Sequence, residues 1–259
     1  MPLLIAFSIV LGLVIGSFLN VVVWRVPRDE SVVRPPSACP ACGSPVRPRD
    51  NIPVLSWVVL SRRCRDCGSP ISARYPSVEA GTAALFAVTA AYIGLAWELP
   101  AFLYLAAISI ALALIDIDVH RLPDKIVLPS YLVSGALLAA ASIANQDYGQ
   151  ILRAGIGMVS LYVLYFALAL VYPGGMGFGD VKLAGVLGMY LAWLGWAELI
   201  VGAFLAFLLG GVLGALLMAV RKAGRKSKIP FGPFMLLGAY GGIFFGEAVA
   251  GWYLGILGL

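Results

Sequence analysis

Read from its start, the chain opens on an apolar stretch, residues 3–24, that carries no charged side chain and would span about 33 Å as a helix. Seven more such stretches follow, at 80–97, 101–115, 126–144, 151–172, 181–196, 199–220 and 231–254. Charged residues gather between the stretches and seldom fall within them. This pattern predicts helices dissolved in a bilayer, not amphipathic helices folded around a soluble core. The expected fold is an all-α polytopic membrane protein of about eight transmembrane helices. The first stretch lacks both the basic lead-in and the small-residue cleavage site of a removable signal, so it reads as a retained helix.

One segment interrupts the series. Residues 25–78 are rich in Pro and Arg and too polar to enter a membrane. The expected organisation is therefore a first transmembrane helix at 1–24, a small soluble insert at 25–78 and a seven-helix membrane domain at 79–259. Composition agrees: 61% of the 259 residues are hydrophobic and 12% charged, and the mean hydropathy is +0.94. These values exclude a soluble enzyme and a disordered chain.

The net charge of +5 acquires meaning from its placement. Nine Arg lie in the insert and its borders, Arg121 and Lys125 follow the third helix, and Lys182 opens the sixth. Arg221, Lys222, Arg225, Lys226 and Lys228 follow the seventh. Seventeen of the eighteen cations thus fall on one side of an eight-span topology, with Arg153 alone on the other. The positive-inside rule puts the insert and these loops in the cytoplasm and both termini outside. No basic stripe interleaved with aromatics appears, so the expected partner of this charge is the lipid surface and not a nucleic acid.

All four cysteines lie in the insert, as Cys39-Pro40-Ala41-Cys42-Gly43 and Cys64-Arg65-Asp66-Cys67-Gly68. Two C-x2-C knuckles, each followed by Gly, supply four sulfurs for a tetrahedral ion, and the expected structure is a zinc-ribbon-like fold around structural Zn²⁺. Disulfides, redox use or an iron centre are the alternatives, disfavoured by a reducing compartment and by the spacing. Four protein ligands would close the site, so the metal is expected to hold the fold and not to activate water.

Two carboxylate clusters stand at membrane edges, where ionisable groups are functional candidates. One is the segment 116–124, with Asp116, Asp118 and Asp124; the other is the glycine-rich loop 174–182, with Gly177, Gly179, Asp180 and Lys182. Both fall on the cytoplasmic side. Two close carboxylates resist ionising together, so one can take a proton from water while the protonated one polarises a carbonyl. The glycines around Asp180 would let a substrate backbone approach closely. The same residues also fit ordinary helix ends or a carboxylate-bound cation such as Mg²⁺, and from composition alone these three readings stay open.

At these residues the sequence resembles the bacterial prepilin peptidases, the type IV leader peptidases of the GxGD aspartic class. Gly16-Ser17-Phe18-Leu19-Asn20-Val21 with Arg25 and Pro27, the two cysteine knuckles, Asn51-Ile52-Pro53, Ser56-Trp57 and Arg74-Tyr75-Pro76-Ser77-Val78-Glu79 fit that pattern. So do segment 116–124, Gly177-Phe178-Gly179-Asp180 and Pro230-Phe231-Gly232-Pro233-Phe234. The resemblance implies that Asp116 and Asp180 form the catalytic dyad, with Asp118, Asp124, Gly177, Gly179 and Lys182 in support. It implies a bifunctional inner-membrane enzyme. The enzyme would cleave the basic leader of type IV prepilins or type II secretion pseudopilins after Gly, at the cytoplasmic face, and then methylate the new N-terminus with S-adenosylmethionine. No Rossmann-like pattern houses the methyl donor, and Glu79 is the one acid singled out for that role. The rival readings are a Mg²⁺-dependent membrane transferase acting on a lipid phosphate and a cation transporter.

Overall fold

In the computed structural model the described residues are 1–172, 176–220 and 230–258, without the side chain of Met218. The first apolar stretch folds as α1, Pro2–Arg25. After it the insert holds a short helix, α2, Leu55–Val59. The remaining apolar stretches fold as α3, Arg74–Ile93, α4, Leu99–Val119, α5, Asp124–Ala144, α6, Tyr148–Val171, α7, Phe178–Leu194, α8, Trp196–Ala219, and α9, Gly232–Ile256. Among the described residues pairing between extended segments is limited to two isolated bridges, both in the insert.

The boundaries differ from the sequence reading for local reasons. Helix α3 begins at Arg74 and stops before Gly94, whose φ of 78° is open to glycine. Glu79, just ahead of the stretch 80–97, therefore lies in the second turn of α3. Helix α4 continues past residue 115 to Val119 and ends where His120 takes a left-handed φ of 52°. Asp116 and Asp118 accordingly belong to its last turn. Pro123 then caps α5, whose first residue is Asp124. The five cations at 221–228 lie outside the described residues, as do Gly174 and Gly175.

Six helical stretches among the described residues are long and apolar enough to cross a bilayer: Pro2–Arg28, Leu99–Val119, Asp124–Ala144, Tyr148–Val171, Trp196–Leu217 and Gly232–Ile256. Their outer faces expose bulky apolar side chains, Leu3, Phe7 and Val10 on α1, Ile200 and Phe204 on α8. Water would penalise such surfaces and hydrocarbon does not.

The chain forms two compact units, Met1–Ala111 and Leu112–Leu259, divided inside α4. In the first, α1 packs on α3 through Gly12 and Gly16. A Cβ on Gly16 would lie 2.8 Å from the Glu79 backbone, so the two helices approach at a distance only small residues permit. Asn20 Nδ2 adds hydrogen bonds to the Gly16 and Tyr75 carbonyls at 3.3 and 3.2 Å.

The second unit is built around α7. Every residue of this helix from Val181 to Trp193 except Lys182 is buried, as expected for a helix that is apolar on all sides. Gly157 of α6 and Gly188 of α7 face each other so closely that a side chain on either would strike the other's carbonyl. Helix α5 is stitched to α7 by hydrogen bonds from Tyr131 to the Lys182 carbonyl, Tyr190 to Ser134 and Trp193 to Ser142. Arg153, the cation that stood apart in the topology, caps the far end of α7. Its guanidinium donates to the carbonyls of Ala192, Trp193 and Leu194 at 2.6, 2.6 and 3.0 Å, satisfying helix-terminal acceptors that have no partner within the helix.

Candidate active site and metal centre

The two cysteine knuckles share one local fold. Cys39 N–H donates to Ser44 O and Gly43 N–H to Cys39 O; Cys64 N–H donates to Ser69 O and Gly68 N–H to Cys64 O, all at 2.8–2.9 Å. Gly43 and Gly68 both have φ of 72°, so glycine closes each turn and aims both sulfurs of a knuckle to one side. The four Sγ atoms lie within 4.8 Å of one another, with Cys39 and Cys67 sulfurs 3.9 Å apart. Tetrahedral coordination with bonds of ~2.3 Å puts sulfurs about 3.8 Å apart, whereas a disulfide needs about 2.05 Å. The geometry fits a four-sulfur metal site. Ser69 pulls the Cys67 thiol down to about 6, through its hydroxyl and its backbone amide, which favours the thiolate that a metal requires.

Two ion pairs tie the second knuckle to the turn Pro48–Asp50 and the residue before it. Arg65 grips Asp50 with two nitrogens, at 2.8 and 2.5 Å, and Arg47 meets Asp66 at 2.8 Å. The Arg65 bond holds the Asp50 carboxyl below its ordinary range. Trp57 Nε1–H donates to Ile71 O at 3.0 Å, closing the insert on itself.

Glu79 is buried, 8% exposed, and its Oε2 accepts the Val54 N–H at 2.6 Å. Val54 has φ of 61°, an unfavourable conformation for a β-branched residue. Glu79 thus clips a strained turn at the head of α2 onto α3, a role the sequence reading missed. The signal for it was a lone acid beside a polar insert.

In the second unit, Asp116 and Asp180 are both buried, 5% and 8% exposed. Each carboxylate sits at a helix N-terminus, where unpaired amides and the macrodipole favour negative charge. Asp180 is the third residue of α7, and its Oδ2 accepts the Gly177 N–H at 3.0 Å. Asp116 Oδ2 accepts the N–H of Gly232, the first residue of α9, at 3.0 Å. Among the described residues these amides are the hydrogen-bond donors the two carboxylates have, leaving Oδ1 of each unengaged.

Leu122 fills the space beside both. A Cβ on Gly179 would lie 2.9 Å from Leu122 Cβ, and one on Gly232 would lie 2.8 Å from Asp116 Oδ2 and 3.3 Å from Leu122 Cδ2. The α4–α5 turn, the α7 start and the α9 start therefore meet at one point. The two segments that carry the Asp180 and Asp116 bonds share Leu122 as a common neighbour.

The other acids stand apart from this point. Asp118 is exposed. Asp124 forms a two-oxygen ion pair with Lys182 at 2.7 and 2.8 Å, tying the start of α5 to the start of α7. Among the described residues the four cysteines are the one group of three or more ligand-type side chains gathered closely enough for a shared ion. The aspartates make no such cage. Sequence reasoning named both carboxylates but gave Gly232 no role; the signal was a Gly-Pro pair opening the last helix, where amides lack partners.

Comparison with known proteins matches the same two regions. Residues 10–93 fit the Bacterial Peptidase A24 N-terminal domain and residues 103–215 the Type IV leader peptidase family. A prepilin leader peptidase/N-methyltransferase of Aeromonas hydrophila is 38% identical over 96% of this chain and 93% of its own length. The proteins of that name from Pseudomonas aeruginosa and Myxococcus xanthus are 34% and 39% identical over 97% and 88% of this chain, and 93% and 67% of their own. No solved structure matches the chain. With both halves matched in order and relatives aligned nearly end to end, the chain belongs to the type IV leader peptidase family.

Proposed function

We propose that this protein is a prepilin leader peptidase that also N-methylates its product, with Asp116 and Asp180 as the peptidase dyad. The observation that carries this reading is the convergence of two buried carboxylates, each held by one glycine amide with one oxygen left open, at a point lined by glycines. In the reaction, the ionised member of the pair takes a proton from a water molecule. The protonated member donates to the scissile carbonyl as the water oxygen bonds to its carbon. The resulting tetrahedral intermediate collapses as the C–N bond breaks and the leaving amine accepts a proton from the dyad. Gly177 and Gly179 leave room for an extended peptide backbone, and the Asp124–Lys182 pair holds the α5 and α7 starts in register.

The substrates in this reading are prepilins or pseudopilins with a basic leader. Their apolar helix lies in the bilayer and presents its Gly junction at the enzyme's cytoplasmic edge. All eight long helices span the inner membrane, including the shorter α7 and the more polar α3. The insert and dyad face the cytoplasm and the termini lie outside. The organisation follows as a first span at 1–24, a cytoplasmic insert at 25–78 and a membrane domain at 79–259. Cys39, Cys42, Cys64 and Cys67 would hold Zn²⁺, which supplies cross-linking of the insert and no catalysis. S-adenosylmethionine supplies the methyl group in the second activity. Glu79, engaged by Val54, keeps one carboxylate oxygen for that site.

The test is mass spectrometry of a purified prepilin after incubation with the enzyme. Leader loss without S-adenosylmethionine and leader loss plus one methyl group on the new N-terminus with it are the expected products. An intact prepilin in both reactions would contradict the reading.

A further inference from the structure

Several donors near the dyad already have acceptors. The Gly177 and Gly232 amides serve the carboxylates, the Lys182 ammonium serves Asp124, and His120 turns back to the Asp116 carbonyl. A tetrahedral intermediate also needs a donor for the oxygen on which charge develops, and a preorganised one outside the proton-transferring pair contributes strongly to rate.

Tyr165 carries a donor of this kind. It lies on α6 and is 2% exposed, and none of the hydrogen bonds described above engages its phenol. Its environment includes the Asp180 carboxylate, which acts on it electrostatically. The ring is fixed by neighbours and not by its hydroxyl. It packs on Phe207 and Phe231 with centroids 5.2 and 6.4 Å away, and Phe231 itself packs on Phe207 at 5.6 Å and Phe234 at 6.4 Å. Phe231 directly precedes Gly232, the residue that holds Asp116. One aromatic cluster thus joins the Tyr165 phenol to the backbone that positions the second carboxylate.

We propose that Tyr165 is a catalytic residue of the peptidase site, its hydroxyl donating a hydrogen bond to the oxyanion of the tetrahedral intermediate. The phenol stays neutral throughout and exchanges no proton; it gains its acceptor only as the carbonyl oxygen becomes charged. The proposal rests on the Asp116/Asp180 reading above.

The experiment compares the wild type with Tyr165→Phe, Asp180→Asn and Tyr190→Phe, in detergent, on a prepilin, with kcat, KM and melting temperature measured for each. Tyr165→Phe keeps the ring and its packing. It is expected to lower kcat about a hundredfold with KM within about twofold and the melting temperature retained. Tyr190→Phe removes a purely structural bond to Ser134 and should lower the melting temperature while leaving kcat in place. A Tyr165→Phe enzyme with full kcat, or one changed only in KM, would overturn the proposal while an inactive Asp180→Asn keeps the dyad standing. An active Asp180→Asn would remove the dyad reading itself.

Discussion

The cysteine centre and the aspartate centre are assembled in opposite ways. Each knuckle closes within six residues, on hydrogen bonds between neighbours and a glycine at positive φ, so two short motifs carry almost the whole cysteine cluster. The aspartate site is local only in part, through the Gly177–Asp180 bond. Asp116 depends on an amide 116 residues away, and Leu122 must wedge between two helix starts. A metal site can be stapled onto a chain with little core, whereas a general acid–base pair must be presented by packed helices that exclude water and fix geometry.

Variants can separate the two designs. The largest expected effect is on the dyad. Asp116→Asn and Asp180→Asn should each lower cleavage by at least about a thousandfold, with unchanged helical circular dichroism and melting. Next is the long-range support. Gly232→Ala retains the amide but drives a methyl group against Asp116 Oδ2, and should reduce kcat about tenfold, read in steady-state assays. A smaller effect follows from breaking the Asp124–Lys182 pair. Half-exposed pairs are worth less than about 1 kcal/mol, so Lys182→Met should change kcat by less than about fivefold. The smallest effect on cleavage is expected from the metal centre. Stripping the metal with a thiol-competing chelator should open the insert to trypsin while leaving the peptidase rate within about twofold. Metal analysis should give close to one zinc per chain before treatment.

What the sequence made legible follows the same division. Long apolar stretches with few charges marked each long helix among the described residues, because a helix in lipid needs only length and hydrophobicity to be recognised. The knuckles were legible because their spacing is their geometry. Asp116 and Asp180 were legible as residues at membrane edges, where a charge needs a reason. Their surroundings were not. Gly232, Leu122 and Tyr165 come from three other segments, and nothing local in a Leu or Tyr on an apolar helix distinguishes a site wall from a lipid-facing surface. The helix ends shifted too, where Gly94 and His120 adopt left-handed backbone that hydropathy does not register. Arg153 was visible as an exception to the charge pattern, but its carbonyl partners at the end of α7 emerge only from packing.

The proposed dyad has two carboxylates cleaving the leader without help from a metal. It is tested most directly by cleavage of a prepilin with a Gly–Phe junction in detergent containing EDTA, comparing the intact enzyme with Asp116→Asn and Asp180→Asn. A metal-independent dyad gives cleavage that survives EDTA and disappears in both variants. Cleavage abolished by EDTA and restored by added Mg²⁺, or retained in either variant, would contradict it.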